Sequence, residues 1–574
     1  MARPRMYGAA LVLALAATTA QAQTYPTGDD PRNGLAHGLF DAGVAAKGMR
    51  LVSFTRKPAE LDSLRGLTFV NSDLAFRGTT VYQGNFAGFS AWDVSNPAKP
   101  ELLSVVACIT AQGDPSIVGN LLFISAEGAG NRNDCAKGGV QAPADHMAGV
   151  RIYDVSNPRA PRLVKNVQTC KGSHTHTVIP DPKDKGVVYI YVSGNQGARP
   201  AEELAGCNNG TDPADENNSL FRLDVIRVAL AHPEQAEVVT GARIFTGLDA
   251  APTRAGAPRR APRNARPGDP LPAPTGPRNC HDVTAYPALN LLAGACASYG
   301  LLVDISNPLE PVRLDAKADT NFSLWHTAVF SNDGSKVVFT DEWGGGTSPN
   351  CQASHPLEMG GNTTLTISKD RKFTQRAYFK IPSSQSAQEN CVSHNGSLVP
   401  VPGRDIMVQG WYQGGVSVMD FSDPDKPTEL AYFDRGPIDP PPGVDVPVTP
   451  PPPGARRGQR GTIAGSWGAY YWNGLVYSSE MDRGLDILEL EPSDQLSKNE
   501  LEAAKLVRFV QYNPQSQPKL VWPAAFPVVR SYLDQLVRNN GLAAARTTAI
   551  AKALDAAEAQ SGAARARSLR TLAG

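Results

Sequence analysis

A five-residue phrase recurs four times along this chain, and its repetition constrains the fold more than any other feature. The copies occupy residues 93–97 (DVSNP), 154–158 (DVSNP), 304–308 (DISNP) and 420–424 (DFSDP). A glycine and a short apolar run precede each copy, and a second apolar run follows it. Asp, Ser and Asn side chains bond to nearby backbone groups, while proline ends a strand ladder. The repeating unit is therefore predicted to be strand, turn, strand.

This phrase resembles the repeats of the LVIVD family, a group of mostly bacterial extracytoplasmic β-propeller proteins. By the logic of the repeat, the resemblance extends over residues 48–492. It implies an all-β fold, and we expect a seven-bladed β-propeller built from four-stranded antiparallel blades. Because unrelated functions share one fold, the resemblance implies no particular activity.

When the spacing of the repeats is used to divide the chain, seven blades result, and three of them lack the clean phrase. The first blade runs from about residue 66 to 108, and the second ends near 170. The seventh begins near 465 and ends at 484–489 without a final strand. Residues 49–54 have the pattern of that missing strand. The two ends of the ring are therefore expected to pair, which removes exposed sheet edges.

Four other segments differ from the repeats. Residues 1–22 have a charged start, a short apolar run and a small-residue cleavage motif, which predict a signal peptide and an exported protein, periplasmic or extracellular. The Pro- and Arg-rich stretches 247–278 and 436–460 are predicted to be insertions, since their composition is unsuited to a hydrophobic core. From residue 493 to 574 the apolar pattern becomes helical, which predicts a small helical region.

The charge balance disfavours some classes of partner. The 574 residues include 55 basic and 55 acidic groups, so no long-range field favours nucleic acid. After the signal peptide, no stretch approaches the roughly 18 apolar residues that a membrane span needs. A protein, a glycan or a small molecule is the expected ligand.

The eight cysteines fit an oxidising compartment and predict structural disulfides. Eight cysteines allow about 105 connectivities, which the sequence does not decide between. Our preferred pairing is sequential along the chain. It joins Cys108 to Cys135, Cys170 to Cys207, Cys280 to Cys296 and Cys351 to Cys391.

Histidines recur at the start of the predicted inner strands. Alignment of these strands on their first residue places four of the nine histidines at equivalent positions. Inner strands of a propeller line the channel, so equivalent residues converge around the axis. Neutral imidazoles suit zinc, copper or iron, and carboxylates add charge. The candidate metal ligands are His176, His281, His326 and His394, joined by Glu342 from the end of a second strand.

Further polar and aromatic residues align at the same end of the predicted strands. We expect these residues to line the channel mouth and to contact a ligand. They are Asp73, Asp114, Glu127, Trp411, Trp467 and Glu480. His174 is an alternative metal ligand or a loop residue. A polar residue at a strand start can also recur because it caps a turn, so recurrence alone does not identify a ligand.

Two functions remain open at this point. The first is an exported binding or scaffold protein with a metal or polar-ligand site at the channel mouth. The second is a metal-dependent enzyme, an oxidoreductase or hydrolase, that uses the His and carboxylate ring. The sequence has no G-x-S-x-G elbow, no H-E-x-x-H helix and no phosphate-binding loop. Neither function identifies a substrate.

Overall fold

The computed structural model describes residues 29–61, 70–136, 138–210, 212–252, 276–347, 349–439 and 464–574. The predicted signal peptide lies outside these residues, as does the predicted start of the first blade near residue 66. Most of the two predicted insertions also lie outside them. No helix among the described residues is both long and apolar enough to cross a lipid bilayer.

The described chain is dominated by short antiparallel strands. The first two, near the N-terminus, are β1 (Val44–Lys47) and β2 (Met49–Arg56). The next eight are β3 (Asn71–Arg77), β4 (Thr80–Asn85), β5 (Gly88–Asp93), β6 (Glu101–Ala107), β7 (Pro115–Val118), β8 (Leu121–Ala126), β9 (Gly149–Asp154) and β10 (Arg162–Gln168). They are followed by β11 (Thr175–Pro180), β12 (Val187–Ser193), β13 (Leu223–Ala229), β14 (Glu237–Ala242), β15 (Val283–Tyr286), β16 (Leu291–Cys296), β17 (Tyr299–Asp304) and β18 (Val312–Ala318).

The second half of the chain continues the same pattern. Its strands are β19 (Trp325–Phe330), β20 (Lys336–Asp341), β21 (Asn362–Ile367), β22 (Phe373–Phe379), β23 (Asn395–Val399), β24 (Ile406–Gly410), β25 (Val416–Asp420), β26 (Thr428–Arg435), β27 (Ser466–Trp472), β28 (Leu475–Glu480), β29 (Gly484–Leu490) and β30 (Gln511–Tyr512). The helices are α1 (Lys498–Ala504), α2 (Phe526–Arg538), α3 (Ala544–Glu558) and α4 (Gly562–Ala573). The predicted helical pattern after residue 492 therefore corresponds to four helices, but an extended segment separates α1 from α2.

Hydrogen bonding groups the strands into six sheets. Four sheets are four-stranded antiparallel meanders, and β30 adds a fifth strand to the meander β3–β6. The sixth sheet has nine strands, because β23 pairs in parallel with β27 and joins two meanders into one. The expected seven separate four-stranded sheets are therefore not seen.

The first strands of successive meanders lie side by side around one axis. Strand β3 contacts β7, and the contacts continue through β11, β15, β19, β23 and β27 back to β3. A closed ring of inner strands, each followed by its own meander, is the architecture of a β-propeller.

The ring is closed by a strand from the N-terminal part of the chain. Strand β2 pairs antiparallel with β29 from Met49 opposite Leu490 to Arg56 opposite Gly484. This pairing confirms the prediction for residues 49–54. Strand β1 pairs with β26, which the sequence analysis did not anticipate. Both pairings cover strand edges that would otherwise be free.

The recurring phrase forms the turn before the last strand of a meander. The Oδ1 atom of Asp93 accepts a hydrogen bond of 2.8 Å from the backbone N–H of Ser95. The same contact recurs from Ser156 to Asp154 at 2.9 Å, from Ser306 to Asp304 at 2.7 Å and from Ser422 to Asp420 at 2.8 Å. These Asx turns are the side-chain chemistry that the phrase predicts.

A steric requirement explains the glycine that precedes the phrase. Gly149 has a φ of +150°, and a Cβ atom at this position would lie 2.0 Å from the carbonyl oxygen of Val167 on the next strand. Gly88, before the first copy, also has a φ of +150°, and a Cβ there would lie 1.9 Å from the carbonyl oxygen of Val106. Only glycine fits where the last strand approaches so closely.

Apolar residues from neighbouring sheets form the core. In one cluster, Val150 and Ile152 of β9 pack with Val178 of β11 and Ile190 of β12, all nearly inaccessible to solvent. Burial of each such side chain stabilises the fold by about 1.5–3 kcal/mol. Four disulfides add covalent links, and their pairing is the sequential one predicted from the sequence.

The extended segment 507–522, which we term the crossing segment, runs over the end of the channel where the inner strands finish. Its strand β30 pairs with Phe76 and Arg77 of β3. Further along, Asn513 bonds to Ile117, Gln517 bonds to Phe330, and the indole of Trp522 donates to the carbonyl of Pro400. The crossing segment therefore ties together inner strands from several meanders.

Candidate metal centre

Four histidines form a row at the opposite end of the channel, where the inner strands begin. They come from four consecutive meanders and are His174, His281, His326 and His394. Their ring centroids are separated by 4.3, 3.9 and 4.1 Å in that order. The repeat explains why His281, His326 and His394 meet, because equivalent positions of a propeller converge near the axis.

Three of these imidazoles converge on one carboxylate. The Nε2 atoms of His281 and His326 lie 3.9 and 3.8 Å from Oε2 of Glu342, and Nε2 of His394 lies 3.8 Å from Oε1. Two ligand atoms that each lie about 2.1 Å from one ion are separated by no more than about 4.2 Å. Each of these nitrogen–oxygen spacings is therefore compatible with one ion bound between an imidazole and the carboxylate. His326, Glu342 and His394 form one such compact group, and His281, Asp282 and His326 form another.

Three ring nitrogens of this cluster lack hydrogen bonds. Both nitrogens of His326 and the Nε2 of His394 are buried without a partner. Buried polar atoms are normally bonded, so these nitrogens are available as ligands. Burial lowers the pKa of His394 to about 3, and burial together with neighbouring histidines lowers that of His326 well below its ordinary value. Both rings are therefore neutral, which is the form that binds metal.

Contacts behind the cluster orient its members. The hydroxyl of Tyr412 donates to Glu342, and Nδ1 of His394 donates to the backbone carbonyl of Trp467. Nδ1 of His281 lies 3.0 Å from the carboxylate of Asp282. The bond of His394 holds its Nδ1–H tautomer and leaves its Nε2 free, as is common for histidines that bind metal.

His174 differs from His326 and His394 because it carries charge. Its Nδ1 lies 2.6 Å from Oε2 of Glu127, and its Nε2 lies 2.8 Å from Nε2 of His281. Burial opposes a charge on His174, but the ion pair with Glu127 outweighs burial and raises its pKa to about 9. Its protonated ring can donate to Glu127 and to His281 at the same time.

A cavity of about 530 Å³ opens onto the row. Phe86, Tyr412 and Trp467 form an aromatic part of its wall, and Gln112, Asn195 and Asn279 contribute amides. His174, His281 and Glu342 also line it, so a small molecule that enters the cavity reaches these three groups. Polar groups converging on a partly aromatic pocket are typical of a ligand site.

The other predicted site residues occupy several environments. Trp467 lines the cavity, whereas Trp411 is buried in the core against Phe379. Glu480 lies 3.5 Å from Arg483 and 3.9 Å from Arg435, so it belongs to an ion-pair network.

Three more predicted residues lie deeper. His176 is bonded through Nδ1 to Ser125 at 2.8 Å and is in neither compact group. Asp73 and Asp114 are buried.

Three residues of the centre were not among the predicted ligands. His174 was considered only as an alternative, because it lies two residues before the aligned position. Asp282 follows an aligned histidine directly, and Tyr412 follows the aligned Trp411. Tyr412 has a φ of +54°, which changes the direction of the chain at the strand end. Each of these three residues lies within two residues of an aligned position, which was the signal available in the sequence.

Comparison with known proteins identifies the repeat. The model of the LVIVD repeat matches residues 144–169, which confirms the resemblance expected from the sequence. Together with the ring of inner strands, this match defines the chain as a β-propeller that contains an LVIVD repeat. None of the curated proteins matches the sequence.

Several solved structures are similar at low identity. Hydrazine synthase of Kuenenia stuttgartiensis is 12% identical, with 62% of this chain and 78% of that chain covered and a TM-score of 0.37. A protein from Lactobacillus plantarum is 11% identical, with coverages of 63% and 82% and a TM-score of 0.38. The Cps50 (Swd1) β-propeller domain of Myceliophteria thermophila is 8% identical, with coverages of 77% and 99% and a TM-score of 0.41. Likenesses this distant carry no information about activity.

Proposed function

We propose that this protein is an exported, seven-bladed β-propeller that binds one transition-metal ion through His281, His326, His394 and Glu342. The observation that carries the proposal is the convergence of three buried Nε2 atoms on one buried carboxylate, at 3.8–3.9 Å. The cavity above the ion then receives a small polar ligand, which is the binding role expected from the sequence.

The blade count rests on the order of the inner strands. The nine-stranded sheet is treated as two blades, since β23–β26 and β27–β29 each form an antiparallel meander. Strand β2 supplies the fourth strand of the last blade. The ring from β3 to β27 then has seven members.

Export is supported by two independent features. Residues 1–22 have the pattern of a signal peptide. Four disulfides fit an oxidising compartment and would not persist in a reducing cytosol.

The donor set narrows the identity of the ion. Three imidazole nitrogens and one carboxylate oxygen suit zinc, copper or iron. Calcium and magnesium prefer sites made of oxygen atoms, so they fit this centre poorly.

A metal-dependent hydrolase or oxidoreductase is a second candidate function. One observation favours it: the charged His174, paired with Glu127, lies beside His281 and lines the same cavity. A group that holds a proton next to a metal can act as a general acid on a ligand in the cavity. The activity then depends on the metal and on His174 together.

Elemental analysis of untagged protein tests the metal centre. We expect about one equivalent of zinc, copper or iron in the wild type and a loss of this metal in His326→Ala and His394→Ala. The control is His232→Ala, since His232 is an exposed histidine outside the row. Glu342→Gln should keep the fold, verified by thermal unfolding, but bind the metal more weakly. Metal-free wild type that also rejects added zinc, copper and iron would refute the proposal.

A further inference from the structure

The proposed centre leaves one nitrogen of His326 unexplained. In that centre the Nε2 atom of His326 lies 3.8 Å from Glu342 and binds the ion. The Nδ1 atom of the same ring is also buried, and it has no hydrogen-bond partner among the described residues. Buried polar atoms are rarely left unbonded, so this second nitrogen calls for an explanation of its own.

Asp282 has an unbonded atom in the same region. Its Oδ1 atom lies 3.0 Å from Nδ1 of His281, whereas its Oδ2 atom is buried without a hydrogen-bond partner in the described part of the chain. The backbone N–H of Asp282 donates to the backbone carbonyl of His326 at 3.0 Å. Asp282 and His326 are therefore neighbours at the start of two adjacent inner strands.

These side chains form a compact group with His281. One ligand atom from each of His281, Asp282 and His326 lies within 4.8 Å of the other two. Two atoms bound at 2.1 Å from one ion lie about 3.0 Å apart when they are at a right angle, and about 4.2 Å apart at most. The 3.0 Å between His281 and Asp282 has the first of these values. The other separations need to shorten by no more than about 0.6 Å, which a small side-chain rotation supplies.

The two compact groups have only His326 in common. The other group consists of His326, Glu342 and His394 and does not include His281. His281 can thus bind a different ion through Nδ1, while its Nε2 keeps the hydrogen bond with His174. The ring of His326 then has one nitrogen for each group.

We infer that the histidine row holds two metal ions and that the imidazole of His326 bridges them. The first ion is bound by Nε2 of His326 together with Glu342 and His394. The second is bound by Nδ1 of His326 together with His281 and Asp282. Binding of the second ion displaces the protons of the ring nitrogens that it uses and releases them to solvent. The inference rests on the proposed function, because the first ion is the one proposed above.

The second site suits the same metals as the first. Two imidazole nitrogens and a carboxylate favour zinc or copper. The first ion repels the second, so the protein as purified should hold about one equivalent and fill the second site when metal is added. The cavity is lined by His281 of one group and Glu342 of the other, so a ligand from the cavity can reach both ions.

Metal stoichiometry tests the inference. Untagged protein is stripped of metal with a chelator and is then titrated with zinc against a chromophoric chelator. We expect the wild type to bind two zinc ions per chain, the second more weakly than the first. Binding of only one ion would overturn the inference and leave the single-metal centre standing. Absence of any zinc or copper binding would refute both.

Three variants locate the second ion. Asp282→Asn removes the charge of a ligand that belongs only to the second group, so this variant should bind one zinc ion. His394→Ala lacks a ligand of the first group only and should also bind one, whereas His326→Ala should lose both. Asp370→Asn, at an exposed aspartate, is the control and should bind two. Two ions in Asp282→Asn would place the second ion elsewhere and overturn the assignment.

Copper provides a readout that a merely structural role of His326 would not change. Two copper(II) ions on one imidazole are magnetically coupled. The electron paramagnetic resonance signal of the two-copper protein should therefore be weaker than that of two isolated ions. Asp282→Asn with one copper should give the full signal of one ion. If this variant fails to fold, wild-type spectra at one and two equivalents still decide, and two uncoupled signals would exclude the bridge.

Discussion

Nε2 of His174 lies 2.8 Å from Nε2 of His281, so the nitrogen that would bind the metal in the proposed centre is also the hydrogen-bond acceptor of a protonated neighbour. A metal ion and this hydrogen bond cannot use the same lone pair. The charged ring of His174 also repels a cation bound at His281.

His174→Gln is therefore expected to bind the transition metal more tightly than the wild type does. The variant removes the positive charge and leaves Glu127 as a nearby anion. A hydrogen bond to a charged group contributes about 1.5–3 kcal/mol, which corresponds to a gain of roughly 10- to 100-fold in affinity. Competition with a chromophoric chelator measures the affinity of each variant for the metal. His281→Gln is the contrasting variant and should bind more weakly; loss of metal in His174→Gln would make His174 a ligand instead.

Asp434 provides a pH-dependent prediction away from the metal centre. Burial, together with the charge of Glu389, raises the pKa of Asp434 to about 8. Between about pH 4 and pH 8 the folded protein keeps a proton that the unfolded chain releases, so the free energy of unfolding falls as pH rises, by up to about 1.4 kcal/mol per pH unit. Asp434→Asn keeps the contact with Gln385. The variant should therefore remove this fall in the free energy of unfolding with rising pH.

The measurement for Asp434→Asn is urea denaturation at pH 5, 6.5 and 8. The variant's advantage over the wild type should grow across this series. Asp494→Asn changes an exposed aspartate and serves as the control. An equal pH dependence in Asp434→Asn and the wild type would contradict the prediction.

Gln517 fixes the crossing segment to β19. Its side chain bonds to both the N–H and the carbonyl of Phe330, each at 3.0 Å. Gln517→Ala would leave two buried backbone groups without partners, so we expect a loss of about 1–3 kcal/mol in the free energy of unfolding. Denaturant midpoints measure the loss. Val521→Ala, at a side chain that is 70% exposed, should change the midpoint little.

Gly149→Ala tests the steric origin of the glycine before the recurring phrase. The added Cβ would collide with the carbonyl of Val167, and φ would remain at +150°, so we expect destabilisation of at least about 1–3 kcal/mol. Gly130→Ala is the matched control, because no atom lies within 4 Å of its added Cβ. Similar melting temperatures for the two variants would show that the approach at Gly149 relaxes freely.

The sequence predicted those parts of the fold that local chemistry determines. The turns of the recurring phrase follow from side chains two residues apart, as for Asp93 and Ser95. The closing strand β2 was predictable because the last repeat lacked one strand. The disulfides have the sequential pairing that we preferred, although the number of cysteines alone did not decide between the possible connectivities.

The remaining features depend on contacts that have no sequence period. Strand β30 bonds to β3, which lies more than 400 residues earlier, and its neighbours Asn513 and Gln517 bond to backbone atoms that any residue would provide. For the proposed metal centre, the alignment predicted His176, His281, His326, His394 and Glu342 and gave His174 only as an alternative. The side chains of His176 and His174 differ in direction, since His176 bonds to Ser125 and His174 bonds to Glu127.

The position of the two chain ends has a consequence for the order of folding. Strand β2 is made early but finds its partner β29 only after residue 490 has been made. The crossing segment is completed later still, and it joins strands from several blades. Since long-range pairing is slow, strand edges stay unpaired until β29 and then the crossing segment are available. A chain truncated before residue 507 would thus lack the crossing segment and its contacts between blades. We expect such a chain to be degraded by proteases.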